Sequence, residues 1–309
     1  MNRGVYFRDM QHITPHLWFD KEAIDAVTLY TSLFNGSVKH TVTLKDTPSG
    51  DSDSVSFELD GQPFMAINAG PIFKLNPSIS FIVNYDPSRF PDARERLDAA
   101  WEKLAEGGTV RMELAEYPFS KHYGWVEDRY GVNWQLMLTD PEGEDRPFIT
   151  PALMFTGENV GKAEEAIEFY CSVFKGGKRG ETATYPAGME PDKEGTIMYA
   201  DFNIMNTWLA AMDSAHEHGF SFNEALSFLI PCETQEEMDY YTDKLSAVPE
   251  AEQCGWVKDK YGVSWQISHV DFETMMTTGT PEQIARLTQT FLPMKRLDVA
   301  ALRAAFEGE

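Results

Sequence analysis

The first half of the chain alternates between two apolar rhythms. Ile13–Phe19 has the period-two pattern of a strand. Lys21–Phe34 then puts Ile24, Val27, Tyr30 and Phe34 on one helical face. Strand-like runs follow at Val38–Leu44, Ser54–Leu59 and Pro63–Asn68, the last two joined by the hairpin signal Asp60-Gly61. The order then restarts. Ser78–Asn84 reads as a strand. Asp92–Glu106 reads as a helix with Ala93, Leu97, Trp101 and Leu104 inward, ended by Gly107-Gly108. Val110–Leu114, Tyr123–Glu127 and Val132–Leu138 complete the set. The first half is therefore predicted to be two successive βαβββ units.

The second half repeats the first. Gly124-Trp125-Val126-Glu127-Asp128-Arg129-Tyr130-Gly131-Val132-Asn133-Trp134-Gln135 returns as Gly255-Trp256-Val257-Lys258-Asp259-Lys260-Tyr261-Gly262-Val263-Ser264-Trp265-Gln266. Ile13-Thr14-Pro15 matches Ile149-Thr150-Pro151, Tyr30 and Phe34 match Tyr170 and Phe174, and Asn76 with Ser80-Phe81 matches Asn223 with Ser227-Phe228. Matches in one order along two halves mark a tandem duplication. Its seam is expected at Pro141–Pro147, a stretch rich in Pro, Gly and acid. The second half is expected to follow the same plan, with helices at Lys162–Phe174 and Thr234–Leu245. Beyond Val270 the pattern changes. Pro281–Leu292 and Leu297–Phe306 read as helices without a counterpart. The expected domains are 1–143, 144–272 and a helical extension over 273–309.

Composition narrows the function classes. The 309 residues are 42% hydrophobic and 24% charged, which suits a globular chain with real cores. Lys and Arg number 26 against 49 Asp and Glu, a formal net charge of −23. That field repels phosphate backbones and anionic lipid, so neither nucleic acid nor a membrane surface is expected as a partner. Cys171, Cys232 and Cys254 lack CxxC spacing, which argues against a structural zinc or a disulfide framework and fits a cytoplasmic location. Met1–Asp9 has no signal-peptide core, and no apolar run reaches bilayer length.

Paired βαβββ units resemble the vicinal oxygen chelate superfamily, which includes glyoxalase I, extradiol dioxygenases and bleomycin-resistance proteins. The residues Ile13 to Phe19, Phe57 to Asn68, Phe73-Lys74-Leu75-Asn76 and both Gly-Trp-Val…Tyr-Gly-Val-x-Trp-Gln blocks resemble its PhnB-like branch, often labelled 3-demethylubiquinone-9 3-methyltransferase-like. The resemblance covers almost the whole chain. It implies an α+β fold: two tandem glyoxalase-like domains, each a curved mixed sheet of two βαβββ units around a pocket, plus the C-terminal helices. It also implies a small-molecule ligand.

Methyl transfer is not expected, because Gly107-Gly108 and Gly176-Gly177 follow helices instead of forming a strand-to-helix donor turn. The superfamily's metal enzymes use His, Glu or Gln on the first and last strands of each unit. Here those strands offer Thr14 and His16, Ala66 and Asn68, Ser78 and Ser80, and Gln135. In the second half they offer Thr150 and Ala152, Ala210 and Met212, Leu226 or Ser227, and Gln266. A divalent ion prefers anionic oxygens and imidazoles, so this set favours no metal and no other cofactor. The ligand-binding candidates are Thr14, His16, Asn68, Ser78, Gln135, Thr150 and Gln266, and no catalytic residue is assigned.

The expected function is a small-molecule-binding protein of the glyoxalase/bleomycin-resistance type with a metal-free pocket. The alternative is a divalent-metal-dependent glyoxalase-like lyase, isomerase or dioxygenase. Trp134 and Trp265, one residue from the Gln positions, are expected to pack against helices, and Cys254 to be packing too. His216-Glu217-His218 reads as a solvated loop. Two copies on one chain can pair internally, so both a pseudo-dimeric monomer and a homodimer through the C-terminal helices fit.

Overall fold

A computed structural model describes residues 12–140 and 146–309. The N-terminal stretch and most of the expected seam lie outside the described residues.

Four modules follow one another. The first is β1 (Thr14–Phe19), α1 (Ala23–Leu33), β2 (Gly36–Thr47), β3 (Gly50–Leu59) and β4 (Gln62–Asn68). The second is β5 (Ile79–Tyr85), α2 (Ala93–Ala105), β6 (Thr109–Tyr117), β7 (Ser120–Glu127) and β8 (Asn133–Leu138). The third is β9 (Ile149–Phe155), α3 (Ala163–Val173), β10 (Lys178–Thr184), β11 (Ile197–Ile204) and β12 (Thr207–Asp213). The fourth has only β13 (Leu226–Cys232), α4 (Gln235–Leu245), β14 (Trp256–Lys258) and β15 (Ser264–His269). It lacks the strand that should follow its helix, which corrects the expectation of a uniform plan. Three helices close the chain: α5 (Val270–Thr278), α6 (Pro281–Phe291) and α7 (Val299–Glu307). The sequence pattern anticipates the last two and misses α5.

The compact units are not the two sequence copies. Unit 1 joins residues up to 74, residues 205–207 and residues from 222 onward, while unit 2 holds 75–204 and 208–221. Unit 1 has a seven-stranded sheet in the order β14-β15-β13-β1-β4-β3-β2, and unit 2 an eight-stranded sheet in the order β10-β11-β12-β9-β5-β8-β7-β6. Each sheet thus takes one module from each copy. The junction is the antiparallel pairing of first strands, β1 with β13 and β5 with β9. First strands are of two kinds, Thr-Pro in β1 and β9 and Ser-Phe in β5 and β13, and pairing within a copy or across copies would join one of each, so their sequences do not dictate which pair forms. Within each module the first and last strands run parallel.

In unit 1, the strand face carrying Leu17, Phe19, Phe64, Ala66, Phe228, Ile230, Trp265 and Ile267 is buried, with α1 and α4 packed on it. Burial of such side chains stabilises by about 1.5–3 kcal/mol each. α1 buries Ala23, Ala26, Val27 and Tyr30. Ile24, expected inward, is 47% exposed. α4 starts at Thr234, whose hydroxyl accepts from the Glu237 N–H. In unit 2 the matching face carries Phe81, Val83, Trp134, Leu136, Leu153 and Phe155, all buried.

The duplicated block has a local physical cause. Asp259 Oδ1 accepts from the N–H groups of Tyr261 (2.9 Å) and Val263 (3.0 Å), and Oδ2 accepts from Trp265 Nε1 at 2.9 Å. Asp128 holds Tyr130, Val132 and Trp134 in the same way at 2.8, 3.1 and 2.9 Å. The turn needs a positive φ at Gly262 (91°) and Gly131 (89°), where a side chain would strain the backbone. The block therefore builds a β-turn that pins the indole of the last strand on the helix side. Asn76 and Asn223 are a second shared device. Each Oδ1 accepts an N–H two residues on, from Ser78 and Ala225, just before the module's first strand.

Candidate functional site

The sheet face opposite the helices is called the inner face here. In unit 1, register places His16 beside Met65 on one side and Ser227 on the other, with Ser264 beyond Ser227. The next row holds Thr14, Leu229, Gln266 and Trp256. Trp18 shares the face with Ile67. Ring edges meet here: His16 to Trp256 at 5.9 Å, Trp18 to Trp256 at 6.3 Å and Trp18 to Phe73 at 5.1 Å. Met65, Ile67, Trp18, Leu229, Trp256 and Gln266 are only half-buried, in contrast to the sealed helix face.

His16 is 5% exposed, and its Nδ1 is buried with no hydrogen-bond partner among the described residues. Ser264 Oγ is in the same condition. Leaving such a group unpaired costs about 1–3 kcal/mol. Burial lowers the His16 pKa from 6.5 to about 4, because the apolar surroundings disfavour the cation. Gln266 Nε2 donates to Ser227 Oγ at 2.9 Å. Lys258, also on this face, pairs with Glu224 at 2.5 Å.

The expected site residues divide between the units. Thr14, His16 and Gln266 come together on the unit 1 inner face. Asn68 belongs to the same strands but to the other face. It pairs with Phe19, and its Oδ1 accepts the Ala23 N–H at 2.8 Å at the start of α1. Its polar group holds the first turn of the helix, so it leaves the candidate site. Asn68→Ala is expected to cost about 1 kcal/mol of stability, read from urea unfolding, with inner-face binding unchanged.

Ser78, Gln135 and Thr150 lie in unit 2. Gln135 Nε2 donates to Ser80 Oγ at 2.8 Å, and Tyr123 OH donates to Gln135 Oε1 at 2.7 Å. The Ser78 N–H is held by Asn76, and Thr150 Oγ1 faces Asn84 Nδ2 at 3.5 Å. Beside them Ile82, Ala152 and Ala210 form a buried apolar cluster under Met137, Tyr199 and Met212. The polar groups of Gln135 satisfy one another in a chain. Those of His16 do not.

Trp256, Ser227, Ser264 and Trp18 were missed as site residues. Alternation assigns each a parity, but only the pairing of β13 with β1 brings them to His16. Trp134 and Trp265 do pack on the helix side, with exposures of 0% and 1%. Cys254 Sγ donates to Leu292 O at 3.1 Å, and burial pushes its thiol up, away from thiolate. His216-Glu217-His218 lies in the loop after β12. There His218 meets Ser214 at 2.7 Å, and His216 meets Asp192 at 3.5 Å.

The first and last strands of the two units offer a divalent ion a poor donor set. The first and last strands present His16, Met65, Ser227 and Gln266 in unit 1, and Ser80, Gln135, Ala152 and Ala210 in unit 2. One imidazole among amides, hydroxyls and apolar groups is a poor donor set. No group of three or more His, Cys, Asp or Glu able to hold a metal occurs among the described residues.

The family model described as 3-demethylubiquinone-9 3-methyltransferase matches residues 11–137 and again 147–268. The chain belongs to that family, in two tandem copies. A solved relative is the putative 3-demethylubiquinone-9 3-methyltransferase, a PhnB protein, from Bacillus cereus. It is 33% identical over 41% of this chain and 98% of that one, with a TM-score of 0.37. Protein PA1353 from Pseudomonas aeruginosa is 25% identical over 40% of this chain and 94% of its own, with a TM-score of 0.34. Glyoxalase I from Zea mays aligns with 86% of this chain and 96% of its own length, at 12% identity and a TM-score of 0.53. That last likeness is one of fold, the vicinal oxygen chelate fold. No curated protein matches the chain. Among the described residues no helix is long and apolar enough to cross a membrane.

Proposed function

We propose that this family member binds an uncharged, planar small molecule on the inner face of unit 1, without a metal. The observation that carries the reading is the buried Nδ1 of His16, unpartnered among the described residues, on a ring that meets Trp256 edge-on, with Trp18 beside it. Pockets of this kind are mostly apolar with a few placed polar groups. The neutral imidazole and, two strands away, the Ser264 hydroxyl each lack a hydrogen-bonding partner among the described residues. An anionic ligand gains little there, since His16 resists protonation and Lys258 is already paired with Glu224. Methyl transfer is not part of the proposal. Gly107 follows α2 and Gly176 follows α3, so neither glycine pair forms a strand-to-helix donor turn.

The test is a titration with 2-naphthol, which is planar, uncharged and carries one hydroxyl, beside 2-naphthoate as its charged counterpart. 2-Naphthol is expected to bind at least tenfold more tightly. His16→Ala is expected to weaken it about tenfold, the equivalent of one buried hydrogen bond. Equal binding of the two compounds, or an unchanged Kd in His16→Ala, would overturn the reading.

A further inference from the structure

Two side chains in one row of the unit 1 sheet carry buried polar atoms without a hydrogen-bond partner among the described residues. Register pairs His16 on β1 with Ser227 on β13, and Ser227 with Ser264 on β15. Residues paired in this way stand on the same face, and two strand spacings put the Cα atoms of His16 and Ser264 about 10 Å apart. His16 Nδ1 and Ser264 Oγ are the unpartnered atoms, in residues 5% and 1% exposed. Ser227, between them, is satisfied, since its Oγ accepts from Gln266 Nε2 at 2.9 Å. The row has a satisfied centre and two unsatisfied ends.

In unit 2 the same row differs at both ends and only there. The duplicated sequences match His16 to Ala152, Ser227 to Ser80 and Ser264 to Asn133. The centre is kept: Gln135 Nε2 donates to Ser80 Oγ at 2.8 Å. Ala152, the register partner of Ser80, has no polar side-chain atom. Asn133 is bonded through both ends of its amide. Its Oδ1 accepts from Trp125 Nε1 at 3.1 Å, and its Nδ2 donates to Glu127 Oε2 at 3.3 Å and to Gly131 O at 3.2 Å. In unit 1 the shorter Ser264 stands in place of Asn133, and Lys258 in place of Glu127. Lys258 is the register partner of Ser264, but its ammonium pairs with Glu224 at 2.5 Å. Trp256, in place of Trp125, meets His16 and Trp18 ring to ring. Every group that occupies Asn133 in unit 2 is replaced or turned elsewhere around Ser264.

Burying one polar group without a partner is unfavourable, and folded proteins seldom tolerate it. Here it happens twice in one row, at positions where the other copy has either no polar group or a fully bonded one. A ligand that supplies both partners relieves both ends together. Neither end fixes the polarity of its partner. An imidazole nitrogen donates or accepts according to the tautomer, and the serine hydroxyl does both. A ligand hydroxyl also does both, so it can meet either end.

We propose that unit 1 selects planar molecules with a hydrogen-bonding group at each of two opposite ends, one end held by His16 and the other by Ser264. This rests on the unit 1 inner face being the binding face. It adds Ser264 as the residue that selects for the second polar group, with the satisfied Ser227 beneath the middle of the ligand.

Three probes separate the possibilities. 2,6-Dihydroxynaphthalene carries its hydroxyls at opposite ends of the ring system, 2,3-dihydroxynaphthalene carries them side by side, and 2-naphthol has one. Titration of the full chain is expected to give the 2,6-isomer a Kd about tenfold below that of 2-naphthol, the equivalent of one further hydrogen bond. The 2,3-isomer should stay within about twofold of 2-naphthol, since its second hydroxyl cannot reach the far end. In Ser264→Ala the 2,6-isomer should weaken to the level of 2-naphthol, while 2-naphthol keeps its Kd. The same substitution should leave the urea midpoint of the ligand-free chain unchanged or raise it, because no hydrogen bond is lost. The proposal is overturned by a 2,6-isomer no tighter than 2-naphthol, by an advantage that survives Ser264→Ala or is matched by the 2,3-isomer, or by a lowered urea midpoint. If 2-naphthol still responds to His16→Ala, any of these results leaves the binding face standing. If no compound responds to His16→Ala, the face itself is wrong and the proposal falls with it.

Discussion

Asp259→Ala is expected to lower the unfolding free energy of unit 1 by about 4 kcal/mol. Its side chain is buried, 1% exposed, and accepts hydrogen bonds from the Tyr261 and Val263 N–H groups and the Trp265 indole. Hydrogen bonds to an ionised group contribute about 1.5–3 kcal/mol each, and removing the acceptor strands the donors in a dry turn. The three share one group, so the losses do not simply add. Asp259→Asn keeps one carbonyl acceptor and should lose about half as much. Asp128→Ala should do to unit 2 what Asp259→Ala does to unit 1. Urea unfolding read by amide exchange of peptides from each unit separates the two. A loss under about 1 kcal/mol in the unit that carries the substitution would mean the turn is held by something else.

The second large effect is one of acidity. His16 has a folded-state pKa of about 4 against 6.5 for an unburied imidazole, through burial. The unfolded chain therefore takes up this proton before the folded chain does. The stability tied to neutral His16 is complete above pH 6.5 and is lost as pH falls from 6.5 towards 4. The full loss is about 3 kcal/mol, most of it felt by pH 4.5. Carboxylates also destabilise the fold in acid, so the informative quantity is a difference. Urea stability at pH 7 minus that at pH 4.5 should be smaller in His16→Asn than in the unaltered chain by about 2–3 kcal/mol. Equal differences in the two chains would place His16 in contact with water or with a charge partner.

The element order was readable because period-two and helical runs are spelled out in every module. Apart from α5, the helices lie where the pattern puts them, as do most strands. Three features were not readable, each for a physical reason. Each copy carries one first strand of each kind, so the pairing of β1 with β13 and β5 with β9 across the copies is a choice that alternation does not encode. The N–H groups of Cys254 and Gly255, just before β14, are met by the carbonyls of Met294 and Lys295, groups that every residue offers. Parity separates Asn68 from Met65, but which parity faces inward depends on the register His16 to Met65 and Phe19 to Asn68.

The candidate site was legible to a similar depth. Thr14, His16 and Gln266 share a face in unit 1, and Gln135 with Thr150 shares one in unit 2. That they form two separate groups depends on the exchange of modules. The contrast between those groups is also invisible in the sequence. Gln135 is saturated by Ser80 and Tyr123, where the corresponding region of unit 1 has Gln266, Ser227 and Cys254. The Cys254 thiol turns to Leu292 O, so no phenol completes the unit 1 network. The two copies have kept the scaffold and changed the chemistry of the inner face.

The nitrogen-15 resonances of the His16 imidazole test the central claim most directly. At pH 6 the account predicts a neutral ring, and addition of 2-naphthol is predicted to shift Nδ1 in proportion to the bound fraction. A ring that is cationic at pH 6, or an Nδ1 resonance unmoved while 2-naphthol saturates the protein, would contradict the account.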